Sequence, residues 1–89
     1  MSEDNFEIIK EFRSVDGVVA TITARLRNGR RNYTYSLKKE FDKEGGVAQT
    51  PWLQKQHLKA ARALLDQVEE FIQQAEDVDR AAYRDRLAK

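Results

Sequence analysis

From Val18 to Arg27 the chain alternates with a period of two: Val18, Ala20, Ile22, Ala24 and Leu26 form one set, and Val19, Thr21, Thr23, Arg25 and Arg27 the other. Successive side chains of a strand point to opposite faces, so this pattern is a strand with one buried and one solvated face. It is bracketed by Asp16-Gly17 and Asn28-Gly29, dipeptides that accept the positive backbone angles of tight hairpin turns. A two-residue loop at Asn28-Gly29 sets Arg27 against Arg30. It also pairs Ala24 with Tyr33, Ile22 with Tyr35 and Ala20 with Leu37, apolar on one face throughout. The other face then reads Arg25–Asn32, Thr23–Thr34 and Thr21–Ser36, uniformly polar. A slip of one residue would mix the two sets, so the register is well specified.

The strand before it is less regular. A three-residue loop, Val15-Asp16-Gly17 with Gly17 left-handed, pairs Phe12–Ala20, Ile8–Ala24 and Phe6–Leu26 on the apolar face, with Glu11–Thr21 and Glu7–Arg25 outside. Two misfits remain: Lys10 sits inward opposite Ile22, and Ile9 faces out. After Phe41 the polar stretch Asp42-Lys43-Glu44-Gly45-Gly46 reads as a third turn, and Val47-Ala48-Gln49 as a short fourth strand. Thr50-Pro51 carries the marks of a helix start, with threonine as cap and proline in the first turn.

From Gln54 onward there is neither Gly nor Pro. Leu58, Ala61, Leu65, Val68, Ile72 and Ala75 recur at spacings of three and four, with Leu64 and Phe71 widening the stripe, which is the signature of an amphipathic helix. Past Ala75 the stripe thins among charges, and the tail either continues the helix or breaks near Asp77 into a short second one. The expected fold is therefore α+β: an antiparallel β-meander of three to four strands followed by a long C-terminal helix packed on one sheet face. Residues 1–5 are expected to be disordered, 6–76 to form the single domain, and 77–89 a helical extension.

At 89 residues the chain is one domain's worth, with a core thin enough for self-association to help, so a homodimer is expected. The absence of cysteine excludes disulfides and zinc-thiolate sites and suits a reducing compartment. No apolar run approaches the ~18 residues of a membrane span, and Met1-Ser2-Glu3-Asp4-Asn5 is unlike a signal peptide. A cytoplasmic protein without a membrane role is the expectation.

Catalysis is poorly supplied. His57 is the only histidine, a surface residue by expectation, and no nucleophile–base–orienter set follows from the spacing of Ser2, Ser14 and Ser36. No metal, cofactor or small-molecule substrate is implied, and an enzyme is not expected. Charge is more informative. Gly17 to Lys39 holds six basic residues and no acid, while the rest of the chain carries ten basic and all fifteen acidic residues. A compact basic block of this kind is a local field that attracts polyanions. In the register above, Arg25, Arg27 and Arg30 gather at one end of the polar face with Arg31 rimming the same turn, and Arg13 and Lys38 flank Val19 at the other. Thr21, Thr23, Asn32, Thr34 and Ser36 lie between as neutral hydrogen-bonding groups. Such a face can neutralise phosphates and fix a nucleic acid in position. A solvated sheet face without a partner is the alternative account.

A single-strand binder also needs exposed rings on which bases stack. The register puts Tyr33, Tyr35, Phe6 and Phe12 on the buried face, which leaves Trp52 as the stacking candidate, although packing is the commoner use of such a residue. On the helix, Lys55, Lys59 and Arg62 precede Asp66, Glu69 and Glu70, an order that opposes the macrodipole.

From Tyr35-Ser36-Leu37-Lys38-Lys39-Glu40-Phe41 through Glu44-Gly45-Gly46 to the Leu58–Ile72 helix, the layout resembles the single-stranded-DNA-binding transcriptional coactivators and their Whirly-like relatives. The resemblance covers roughly residues 6–75 and rests on topology and spacing. It implies four strands followed by a helix, dimeric assembly, and binding of single strands along basic sheet faces. The aromatic positions depart from it, and so does the tail after Ala75. The functional expectation is a module that binds single-stranded DNA or RNA through Arg13, Arg25, Arg27, Arg30, Arg31 and Lys38. The alternative is a protein-interaction or regulatory homodimer with no nucleic-acid role.

Overall fold

A computed structural model describes residues 5–27 and 29–87. Four strands, β1 (Asn5–Arg13), β2 (Val18–Arg27), β3 (Arg30–Lys43) and β4 (Gly46–Thr50), are followed by a short 3-10 turn (Lys55–His57) and helix α1 (Leu58–Leu87). The strands form one antiparallel sheet in the order β1-β2-β3-β4, and α1 packs on one face of it, chiefly over β2. The α+β expectation therefore holds, with four strands and one unbroken helix. The expectation of a disordered N-terminus falls on residues 1–4, outside the described residues, except for Asn5, which begins β1.

The β2–β3 hairpin has the pairing read from the alternation, from Arg27↔Arg30 through Ile22↔Tyr35 to Ala20↔Leu37. Asn28 lies outside the described residues, and Gly29 has a φ of +76°. The first loop also turns on a left-handed glycine, Gly17 at φ +87°. A side chain there would meet the Glu40 carbonyl oxygen at 2.9 Å, because the Gly17 carbonyl accepts a hydrogen bond from the Glu40 amide at 2.8 Å. The position is reserved for glycine both by backbone angle and by space.

β1 corrects the expected pairing. Phe12↔Ala20, Glu11↔Thr21 and Lys10↔Ile22 are as expected, but a bulge then intervenes and Ile8 pairs with Thr23, Glu7 with Ala24 and Phe6 with Arg25. The extra residue is Ile9, which turns inward and packs against the core. One inserted residue reverses the facing of everything beyond it. Phe6 and Ile8 therefore lie on the face opposite the helix, 60% and 64% exposed, and Glu7 leaves that face. The bulge also interrupts an edge strand, a known defence against unwanted strand pairing.

The core is thin. Val18, Ala20 and Ile22 of β2 meet Leu64 and Val68 of α1, with Ile9, Phe12, Leu37, Leu53, Ala60, Phe71 and Ile72 closing the margins. Phe12 and Phe71 meet edge to face at 6.2 Å, an arrangement favoured by the ring quadrupole. Alanines at 20, 24 and 61 are all buried; their small side chains let helix and strand approach closely.

The start of α1 also differs from expectation. Thr50 belongs to β4, paired with Lys39, and its Oγ1 accepts a hydrogen bond from the Trp52 amide at 3.2 Å. The helical run begins at Lys55, after an N-cap at Gln54 whose amide donates to Nδ1 of the buried His57 at 3.1 Å. His57 is thus a capping residue in the interior, not a surface one. At the far end α1 outruns the sheet: the radius of gyration is 16.3 Å, against about 12 Å for a compact chain of this length. Tyr33 ties this part of the helix to β3, its hydroxyl donating to Asp79 at 2.5 Å. Burial first, and then this bond to a carboxylate, push the Tyr33 hydroxyl above its ordinary pKa.

Candidate functional site

The face of the sheet opposite α1 carries no element among the described residues. Its cross-strand rows follow from the register: Arg27 with Arg30, then Phe6 with Arg25 and Asn32, then Ile8 with Thr23 and Thr34, then Glu11 with Thr21 and Ser36, and last Arg13 with Val19 and Lys38. Arg25, Arg27, Arg30 and Lys38 thus join Arg13 on this face, as the alternation requires.

The two ends of the face differ. At the β2–β3 turn, Arg27 and Arg30 stand directly opposite each other and form no ion pair among the described residues. Beside them the Arg25 guanidinium lies over the Phe6 ring, 4.1 Å from its centroid, a cation–π contact. At the other end Arg13 is held by two carboxylates, Glu11 at 3.4 Å and Glu40 at shorter range. Gln49 donates to the same Glu40 at 3.0 Å. The Gln49 amide first, and then the Arg13 guanidinium, hold the Glu40 carboxyl below the ordinary carboxylate range. An exposed pair of this kind adds little to stability, but it neutralises the cation. Lys38 remains without an ion pair among the described residues.

The hydroxyls between the two ends are partly engaged. Thr23 and Thr34 share a hydrogen bond at 2.5 Å, and Thr21 donates to Glu11 at 3.3 Å. Asn32 and Ser36 are exposed and make no side-chain hydrogen bond among the described residues.

Two expected site residues fall elsewhere. Arg31 pairs with Leu26 and so turns to the helix side, where it lines a cleft with Glu76, Asp79, Arg80 and Tyr83. Odd and even positions of β3 face opposite ways along the strand, although at the turn Arg30 also borders this cleft. Trp52 is neither a packing residue nor part of the arginine cluster. It is 81% exposed and lines a separate cleft at the helix start with Asp16, Lys39, Phe41, Thr50 and His57.

Phe6 and Ile8 are the residues that strand alternation alone misplaces. The signal lies in the two misfits of β1: a one-residue insertion between Ile8 and Lys10 brings Ile9 inward and carries Phe6 across to the arginines. No group of three or more metal-ligating side chains converges among the described residues, and no described helix is long and apolar enough to cross a membrane. The chain matches no known protein family, curated protein or solved structure.

Proposed function

We propose that the open sheet face binds single-stranded nucleic acid, DNA or RNA, and that its turn-proximal end supplies most of the affinity. The observation that carries this reading is the Arg25 guanidinium over the exposed Phe6 ring beside the opposed pair Arg27 and Arg30; at the other end of the face Val19 is buried. Like charges directly opposed across two strands repel, at a cost of a few tenths of a kcal/mol per pair, and a phosphate between Arg27 and Arg30 relieves that repulsion. An exposed ring next to a guanidinium offers the stacking surface that a base needs once it is freed from a duplex. Phosphate contacts position the strand and the ring distinguishes unpaired bases from paired ones. The resemblance to single-stranded-DNA-binding coactivators belongs with this reading, in the order of strands and helix.

The test is fluorescence polarisation of a labelled oligothymidine across a salt series, with a duplex of equal length beside it. With ~3–5 phosphates engaged, log affinity falls against log salt with a slope of about −2 to −3.5, and the duplex binds more weakly. Absence of binding at low salt ends the proposal.

A further inference from the structure

The outer edges of the sheet are not alike. β1 is broken by its bulge, which blunts that edge against further pairing. β3 has no such break, and β4 covers only Lys39–Lys43 of it. Arg31–Leu37 is therefore an edge with no neighbouring strand on its outer side among the described residues. The register says which backbone groups this edge presents. Lys43 and Gly46 flank a two-residue turn and exchange both ladder bonds, so Phe41 and Lys39 also turn their N–H and C=O groups toward β4. Even positions turn the other way, as the Glu40 amide does in donating to Gly17. Tyr33, Tyr35 and Leu37 thus point their backbone groups outward, without a hydrogen-bond partner among the described residues. Between Arg31 and Lys38 the edge reads Asn32-Tyr33-Thr34-Tyr35-Ser36-Leu37, with neither a charge nor a proline to discourage a new strand.

A groove runs beside this edge. Tyr35, 55% exposed, forms its floor, Leu65, Val68 and Ile72 of α1 form its wall, and its volume is about 420 Å³. Asp66, Glu69 and Glu76 rim it; all are exposed, and none is in an ion pair among the described residues. The bond from Tyr33 to Asp79 puts the Glu76 end of the groove beside Tyr33 and the Asp66 end toward Leu37.

We infer that this edge takes up an extended segment of a partner protein as a fifth strand, antiparallel to β3 and in line with β4. Its inward side chains are one apolar residue with a basic residue on either side. A row of outward N–H and C=O groups is matched by another polypeptide backbone, and the side-chain pockets beside the row then choose the sequence. Residues directly opposite across an antiparallel ladder share a face. The residue opposite Tyr35 therefore enters the groove against Leu65 and Ile72. Its neighbours two positions away, opposite Tyr33 and Leu37, meet Glu76 at one end and Asp66 and Glu69 at the other. The intervening residues lie on the open face beside Thr34 and Ser36, where small hydroxyl side chains fit. The occupant thus reads basic-x-apolar-x-basic. Charge excludes the other candidates. Three unmatched carboxylates repel a nucleic acid, and a second copy's β3 would bring Tyr33, Tyr35 and Leu37 to the inward positions, with no cation among them. The inference is independent of nucleic-acid binding, which is proposed for the arginine end of the open face.

The probe is the fluorescein-labelled peptide Thr-Lys-Thr-Val-Thr-Lys-Thr, titrated with the full chain by fluorescence polarisation. Half-saturation is expected below about 0.5 mM protein, the range of a weak, transient contact. Methylating the backbone nitrogen of the peptide's Val removes a ladder bond and weakens binding by about tenfold or more. Methylating that of the Thr beside it, which faces away from β3, changes affinity by less than about threefold. Glu69→Lys/Glu76→Lys weakens binding by about tenfold, and the peptide Thr-Asp-Thr-Val-Thr-Asp-Thr binds this variant more tightly than it binds the wild type. Both residues are exposed, so far-ultraviolet circular dichroism is expected to be unchanged. In ¹⁵N-labelled protein the peptide slows hydrogen exchange at the Tyr33, Tyr35 and Leu37 amides and leaves Thr34 and Ser36, already in the β2 ladder, as they were. No binding at that concentration, equal losses from the two methylations, or slowed exchange elsewhere only would each overturn the inference. Edge amides already protected in the free protein, with sedimentation at twice the monomer mass, would mean that a second copy covers the edge, and would overturn it too.

Discussion

The two ends of the open sheet face carry the same residue type in opposite electrical states. Arg13 sits between Glu11 and Glu40, while Arg27 and Arg30 face each other with no ion pair among the described residues. Counting cations along a strand treats these ends as equal; the register shows that they are not. A charge serves a partner best when its own neighbours have left it unmatched, and here Arg27 and Arg30 meet that condition among the described residues. The Arg13 end reads instead as a local ion network joining β1, β3 and β4.

Reversing charge separates the ends most sharply. Arg27→Glu/Arg30→Glu is expected to lower affinity for oligothymidine by about a hundredfold at low salt. The salt slope flattens by about 1.4, because two phosphates are no longer neutralised. Arg13→Gln is expected to change affinity by less than about threefold. Equal effects at the two ends would remove the distinction. The ring comes next: Phe6→Ala loses about tenfold against oligothymidine, within the ~1–3 kcal/mol of one stacked base, and little against an abasic strand of the same length. Equal weakening on both strands would mean that Phe6 acts through packing alone.

Acid tests the matched end. The Glu40 carboxyl is held below its ordinary value of 4.5, so the ion network is complete above that value and is lost as pH falls through the lowered folded-state pKa. Arg13 is then released, and wild-type affinity for oligothymidine rises severalfold in that window while Arg13→Gln stays flat. A flat wild-type profile would show that Arg13 is not masked by its carboxylates. The smallest effect concerns the hairpin itself. Arg30→Thr removes the like-charge opposition to Arg27 and is expected to stabilise the fold by a few tenths of a kcal/mol in urea denaturation, while weakening binding. A destabilised variant would mean that the two arginines are not in conflict.

Much of this geometry was legible in the sequence because period-two patterning fixes facing. The pairs Ala24–Tyr33, Thr23–Thr34 and Arg25–Asn32 follow from one turn and one alternation, and the open face with Arg25 and Arg27 follows from them. The bulge was not legible in the same way. An inserted residue leaves no composition mark, only the misfit of Ile9 facing out, and turning Ile9 inward moves Phe6 from one face to the other while Lys10 stays opposite Ile22. The masking of Arg13 is a further step removed. It depends on β3 running on to Lys43 and on β4 bringing Gln49 beside Glu40, contacts between strands distant in sequence. Thr50-Pro51 misled because the same two residues end a strand as readily as they begin a helix, and pairing with Lys39 decided between the two. The helix stripe concealed two seams: Ala61, Leu64 and Val68 serve the sheet, and Leu58, Leu65 and Ile72 are left over.

The most direct test maps the bound surface residue by residue. In a titration of ¹⁵N-labelled protein with a short oligothymidine, the amides of Phe6, Ile8, Thr23, Arg25, Arg27 and Arg30 are expected to shift, with those of Arg13 and the α1 flank nearly still. Shifts confined to α1 or to the Trp52 cleft, or no shifts at millimolar oligonucleotide, would contradict the assignment of this face.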